Sequence, residues 1–486
     1  MSAHDRDVIA GIGTGADRVL SVATPITPDQ LLHAVRTADP DGRWAMAAAA
    51  VPGGAPGELP RLAVDSTRLA AVVNWRGEYG GRSAAQVAAG LRPTAPAPVV
   101  VPGQDVTLDV TVHGVTVDNP LNLAIVLSSV AGHGTATLPL GALDNGTATV
   151  QQRTPACVDG CRLVGIHLTA NSGTGQLGFD LTVRGLGSLN PVQPAVTGMR
   201  LRDASQWRAV GGDLTSVPDG LRLSVEAPGG LPDGVWIQPV DAPLPLPVAS
   251  TAALAPGATL AGLDGRRTPV TGIARLAALP RLGSRGALVD LEYANRVAAD
   301  AGAARQPEVW LGSAAPPDAL TLLARQNLAF IGDTDVGSAR RHLDVQGPAL
   351  AVWFHLLTGV LAILLALGGL ALIGAVDGRT RTADLATLRL QGLPARTVRR
   401  AMRWAYPVLV LVAGVFGLAV ALITWRLTGW ALPISDGNDT ALPLPPWPHP
   451  LVLLLTWLAA VTVLTAAALA VGSARHRTRS RAPNEG

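Results

Sequence analysis

Three stretches near the end of the chain show no alternation of apolar and polar positions. Residues 349–376, ALAVWFHLLTGVLAILLALGGLALIGAV, hold no charged side chain. That run exceeds the roughly 20 residues a helix needs to cross a bilayer. Two more apolar runs cover about 405–430 and 450–473. Buried core helices are rarely this long and uncharged, so the pattern predicts three transmembrane helices.

Upstream, from about 104 to 238, the period is two. In QDVTLDVTVHG, Val106, Leu108, Val110 and Val112 share one face, and Thr107, Asp109 and Thr111 the other. RLVGIHLTA, QLGFDLTVRG and GLRLSVEA repeat the alternation. Short strands parted by Gly, Asn and Asp turns predict a β-sandwich or jelly roll. On either side the periods mix. DRVLSVA and RWAMAAAAV read as strands, and TPDQLLHAVRTADP as a helix with Thr27 as cap and Pro28 at its first position. STRLAAVVNW reads as a short helix, GALVDL and PEVWLG as strands, and PDALTLLARQ as a helix. The proline-rich LRPTAPAPVVVPG, residues 91–103, marks a boundary. The expected fold is a membrane protein of α+β class, with an extracytoplasmic α/β domain interrupted by a β-sandwich and followed by three helices. The expected divisions are 1–92 and 239–348 for the two α/β parts, 93–238 for the insert and 349–486 for the membrane domain.

Charge supplies a direction. The chain carries 38 Lys plus Arg against 35 Asp plus Glu, and every one of the 38 is arginine. Without lysine there is no phosphate-binding loop of the G-x-x-x-x-G-K-[ST] type. Residues 1–349 carry 26 Arg and 30 acids, whereas 350–486 carry 12 Arg and 5 acids. The basic excess therefore lies beside the apolar runs, and no basic, aromatic-interleaved surface precedes them, which argues against nucleic acid as a partner. Between the first two runs lie Arg379, Arg381, Arg389, Arg396, Arg399, Arg400 and Arg403. The connection before the third run has Asp436 and Asp439 and no arginine, and the tail has Arg475, Arg477, Arg479 and Arg481. Short arginine-rich segments stay in the cytoplasm. The expected location is the cell membrane, with loop 377–404 and the tail cytoplasmic and residues 1–348 outside. An exterior segment that long needs an export signal, so a further transmembrane helix is expected upstream of the sequence as it stands. Within the spans, Arg426 between Trp425 and Trp430 reads as an interfacial, snorkelling side chain. His355 reads as a bland outer-end residue, and Pro407 as the site of a bend.

Catalytic constellations are sparse. There is no G-x-S-x-G and no H-E-x-x-H. His113, His133 and His167 are scattered over the β-rich region, and neither a metal nor a cofactor is expected. Trp75, Trp207, Trp236 and Trp310 could line a sugar platform, but core packing is the preferred reading. Nothing here indicates an enzyme.

The segment DGRTRTADLATLRLQGLPARTVRRAMRWAYPVLVLVAGVFG, 377–417, is the most informative. Leu385, Leu388 and Leu390 fall on one side of a short helix, Gly392 and Pro394 break it, and a second basic helix runs into the next span. A helix, a break and a helix across the mouth of a membrane bundle make a docking surface. On ADLATLRLQGLPARTVRR leading into a span, the proline-rich ALPLPPWPHP, a final span and a basic tail, the chain resembles FtsX-like (MacB-like) permeases of ABC transporters. ACVDGCRLVGIHL within a jelly-roll insert is similar to large high-GC Gram-positive members. The resemblance implies a permease subunit that couples hydrolysis by a separate ATP-binding cassette ATPase to motion of the exterior domain. Such motion would extrude lipid, lipoprotein or peptide, or act as mechanotransmission. It implies docking of that ATPase on Leu388, Leu390, Gln391, Gly392, Leu393, Pro394 and Arg396, and a homodimer or heterodimer of permeases in contact with membrane lipid. The family normally has a further helix before the exterior domain. Many relatives carry an acidic residue where this chain reads Trp404-Ala405-Tyr406. The competing expectation is a membrane-anchored receptor for a glycan or peptide, without transport.

Cys157 and Cys161 are the only cysteines. The charge-derived topology places them outside, where disulfides persist. Two thiolates supply half the ligands of a structural zinc site, and C-x₃-C is not the C-x-x-C of thiol oxidoreductases. With Asp159-Gly160 offering turn chemistry between them, a structural disulfide in the sandwich is expected.

Overall fold

The computed structural model describes residues 3–345 apart from 24, 54–57, 117–119, 171–176, 229, 232 and 300–301, together with 354, 356–373, 376, 395–428 and 450–479. These residues fall into two compact units, His4–Arg341 in one and Met1–Ala3 with His342–Gly486 in the other.

In the larger unit, nine strands make one mixed sheet. Its order is Thr259–Ala261, Arg267–Arg275, Leu246–Ser250, Ala287–Asp290, Arg61–Val64, Ala45–Val51, Pro307–Leu311, Arg18–Val22 and Phe330–Asp335. Two of its pairings are parallel: Leu246–Ser250 with Arg267–Arg275, and Ala287–Asp290 with Arg61–Val64. The sheet has apolar layers on both faces. Ala45, Ala47 and Ala49 pack in one cluster with Leu31, Val35 and Leu291. Met46 and Ala48 pack in another with Leu69, Val87 and Trp310. Burial on both sides explains why Ala45–Val51 is apolar throughout rather than alternating. The helix Pro28–Ala38 starts with a capping box: Gln30 N–H donates to Thr27 Oγ1 at 3.3 Å, and Thr27 N–H to Gln30 Oε1 at 2.9 Å. Ser83 and Gln86 repeat that device at the head of Ala84–Leu91.

Two six-stranded antiparallel sheets lie between the first and second groups of these strands. One runs Asp213–Val217, Gly220–Ala227, Leu177–Leu189, Asp105–His113, Gly146–Arg153, and the other Trp207–Val210, Val235–Pro239, Cys161–Ala170, Leu121–Ser129, Thr135–Leu143. Two short strands, Val192–Pro194 and Val100–Val101, add to their rims. Val106, Leu108, Val110 and Val112 are at most 1% exposed and share a core with Leu121, Leu123, Ile125 and Leu127 of the opposite sheet. The unit is thus a β-rich α/β domain carrying a sandwich.

Cys157 and Cys161 form a disulfide with their Cα atoms 5.0 Å apart, both fully buried in the sandwich core. Gly160 closes the turn between them at φ 92°, a left-handed conformation costly for residues with a Cβ. Its N–H donates to Cys157 O at 2.9 Å. Because the ring is short, the bond restricts the unfolded chain modestly, by on the order of 2 kcal/mol. Replacing both cysteines by serine is expected to lower the stability of this unit by about that amount, read as an earlier urea midpoint in tryptophan fluorescence.

Candidate functional site

In the smaller unit, Leu356–Ile373, Pro407–Leu427 and Pro450–Ala470 are long and apolar enough to cross a membrane, with mean hydropathies of 2.6, 2.6 and 2.3. Little of that surface is covered: Leu365, Phe416 and Leu455 are 77, 69 and 62% exposed. Side chains this apolar are at home in lipid. The second span is the later part of one continuous helix, Ala395–Thr428, whose first turns hold Arg396, Arg399, Arg400 and Arg403. Pro407 lies inside this helix, where it offers no N–H to the carbonyl four residues earlier.

The second and third of these helices pack on each other. Val410, Gly414, Leu418 and Leu422, spaced four apart, are shielded on one, as is Pro407. Such a row forms a ridge that fits a neighbouring groove. Facing it are Trp457, Val461, Leu464 and Ala468. The Trp457 indole N–H donates to Gly414 O at 2.9 Å. A Cβ on Gly414 would lie 2.9 Å from Val461 Cγ2, so a larger residue would have to displace that side chain or part the helices, whereas Gly417 meets nothing within 4 Å. Small residues and polar side chains reaching across helices are what hold helices together where lipid removes the hydrophobic drive.

The expected docking residues Leu388, Leu390, Gln391, Gly392, Leu393 and Pro394 lie outside the described residues, as does His355. Arg396 falls in the first turn of the Ala395–Thr428 helix. Arg426 is exposed near that helix's end.

A second concentration of functional groups lies in the larger unit, on the helix Leu291–Val297. Asp290 caps it, accepting from Tyr293 N–H at 2.8 Å. Glu292 accepts from Arg36 at 2.9 Å, from Arg92 at 2.7 Å and from Arg296 one turn on. Arg36 also grips Asp65 through two bonds of 2.8 and 3.0 Å. Arg92 and Arg296 lie over the Tyr293 ring, 4.7 and 5.7 Å from its centre. Burial alone would raise the Glu292 carboxyl, but Arg296, Arg36 and Arg92 together hold it down at about 2. Asp241 lies in the opposite balance. Its side chain is buried, accepts no hydrogen bond and is 3.7 Å from Arg162, and burial raises its pKa.

Trp207, Trp236 and Trp310 are at most 5% exposed and belong to packed clusters. Trp75 is half-buried, with its indole N–H on Arg82 O, so these four make no open platform. His113 and His133 are exposed, and His167 stacks on Trp236 at 4.1 Å. Among the described residues no group of three or more His, Cys, Asp or Glu is placed to hold a metal.

With this geometry in view, residues 356–475 match the family model described as FtsX-like permease C-terminal. The match takes in all three apolar helices. It supports an ABC transporter permease, and FtsX-like permeases work with a separate ATPase subunit. No curated protein matches the chain.

Two outcomes follow from these contacts. Trp457→Phe keeps an aromatic ring of smaller size and loses the donor, and is expected to cost about 1–2 kcal/mol. Gly414→Leu forces the helices apart and is expected to cost about 1–3 kcal/mol. Both are read as lowered thermal midpoints of the detergent-solubilised chain. For the carboxylates the signs differ. Glu292 has a folded pKa of about 2 against 4.5, so its contribution is present above pH 4.5 and lost as pH falls through about 2. Glu292→Gln is expected to destabilise by about 1–3 kcal/mol near neutral pH, because it removes the shared counter-charge of three partly buried guanidiniums. The same change removes part of the acid dependence between those two pH values. Asp241→Asn neutralises a carboxylate the fold disfavours and is expected to leave stability equal or higher. Urea midpoints taken across pH check both.

Proposed function

We propose that this protein is the membrane permease subunit of an ABC transporter, moved by a separate ATPase at its cytoplasmic face. In this reading its large N-terminal unit lies on the opposite side. The observation that carries the reading is the family match over 356–475, which includes the arginine-rich connection between the first two spans. Arginine density there favours the cytoplasm. The Cys157–Cys161 bond favours an oxidising compartment for the other unit.

The chemistry asked of this chain is mechanical. It needs no nucleotide site of its own, since it carries no lysine with which to build the usual phosphate loop. ATP binding by the partner would draw the cytoplasmic connections together around Leu388, Leu390, Gln391, Gly392, Leu393, Pro394 and Arg396. The Ala395–Thr428 helix runs unbroken from that basic segment into the membrane, so a push at its base reaches the span directly. The Trp457–Gly414 bond would carry the third helix along with the second. Three or four spans per chain are too few to enclose a channel, so in this reading a second permease chain completes the assembly. The cargo in this reading is a lipid, lipoprotein or peptide, or else the output is force on a cell-wall enzyme.

Pull-down of an ATPase encoded beside this gene tests the proposal. The wild-type chain is expected to retain the ATPase, and Gly392→Trp, which fills the break in the docking segment, is expected to lose it. Equal retention by both, or by neither, would refute the docking role.

A further inference from the structure

The sandwich and the nine-stranded sheet have separate cores. The apolar cluster shared between them is small: Val126, Val164 and Trp236 from the sandwich, and Ala299 from the other side. Bodies joined by so little apolar surface ordinarily move relative to one another. Besides close packing of Gly132 and Gly134 on His33 and Gln30, what else joins them is polar and directional, and much of it converges on the helix Leu291–Val297.

The chain leaves the sheet for the sandwich through Arg92 and Pro93. Arg92 is bonded to Asp290 and Glu292, and the Tyr293 hydroxyl donates to Pro93 O at 2.7 Å. It returns through Asp241, whose backbone carbonyl accepts from Arg296 at 3.0 Å. Both crossings are therefore held by side chains of one short helix. The sandwich itself reaches the same helix from the other end. Arg208 donates to the carbonyls of Arg296 and Val297, each at 2.9 Å, and Gln238 donates to Ala298 O at 3.1 Å. Carbonyls in the last turn lack partners within the helix and carry its negative end, so a guanidinium is well matched to them. Gln238 also accepts from Arg208 Nε at 3.1 Å, which fixes the fork. A separate tie runs from Arg162 and Ser128 of the sandwich to Asp29, at the head of Pro28–Ala38. Arg36 of that helix returns to Glu292, closing the circuit.

We propose that the Leu291–Val297 helix is a mechanical junction that locks the inserted sandwich to the nine-stranded sheet, so that the two turn as one body. Arg208, Arg296 and Glu292 are its positioning residues. Hydrogen bonds to backbone carbonyls at a helix end have one geometry, so the sandwich cannot slide over them as it could over an apolar surface. The junction rests on the permease reading for its purpose, which is to pass membrane-derived motion from the nine-stranded sheet to the sandwich. Its existence is measurable without any ATPase.

Pulsed electron–electron distance measurement on the full chain in lipid nanodiscs tests it. The native cysteines are bonded to each other, so nitroxides attach only at introduced thiols. Met199→Cys on the sandwich and Ile331→Cys on the sheet suit, being 85 and 76% exposed in the parent. The expected result is a single narrow distance in this labelled parent. That peak is lost to a broad distribution when Arg208→Ala and Glu292→Gln are added, and Arg208→Lys, which still reaches one carbonyl, retains most of it. A second label pair within the sandwich, Met199→Cys with Val210→Cys, must keep its distance in every variant. Should the double variant fail that check, Arg208→Ala alone is read in the same way. A broad distribution in the labelled parent, or an unchanged narrow peak after loss of Arg208, overturns the proposal. Neither outcome bears on ATPase docking, and failure of docking leaves the distances as they are.

Discussion

The centre of the nine-stranded sheet depends on one parallel pairing, between Arg61–Val64 and Ala287–Asp290. Four residues on each side meet across more than two hundred positions of chain. Each strand has a neighbour closer in sequence on one edge, Ala45–Val51 and Leu246–Ser250, but the N–H and carbonyl groups of its other edge would be stranded in the interior without the distant partner. This requirement forces the two ends of the sandwich to return to one place. It also puts Asp290 at the end of a central strand, from which the Leu291–Val297 helix leaves with its cap already in position. The crossings, the carboxylate cluster and the docking of the sandwich follow from where that pair of strands meets.

Local rules were legible in the sequence because local physics dominates there. The alternation of Val106 to Val112 corresponds to the buried face of Asp105–His113, and Thr27 and Pro28 begin a helix as their chemistry requires. The β-rich character and the three apolar helices are both present. Other elements gave weaker signals. Arg61–Val64 is four residues long, too short to show a period, and owes its burial to distant partners. Ala3–Thr14 contains two glycines among its twelve residues, which weakens its helical signal. Ala84–Leu91 could have been found from the Ser83 and Gln86 pair alone.

The carboxylate cluster was not legible in the sequence, for a physical reason. Glu292 meets Arg36 and Arg92 from 256 and 200 positions away, and nothing in the local run LEYANRV distinguishes it from any solvated helix. The same holds in the membrane segment. Gly414 and Gly417 are three apart in an apolar run, and only packing shows that one faces the third helix while the other faces outward. Tertiary contacts assign roles that composition and period leave equal.

The interleaved topology also imposes an order of events as the chain is made. The sandwich draws its strands from one contiguous stretch, Val100 to Pro239, and can close as soon as that stretch has emerged. The nine-stranded sheet has three strands before it and six after, so its earliest part must wait, half-paired, until Leu311 and then Asp335 arrive. Polypeptides emerge at about 5–20 residues per second, so the delay spans tens of seconds. During it the alanine-rich Ala45–Val51 strand is an open edge in search of a neighbour. An early-folded sandwich holding its own two ends close together shortens that search, making the insert an internal folding scaffold for the domain that surrounds it.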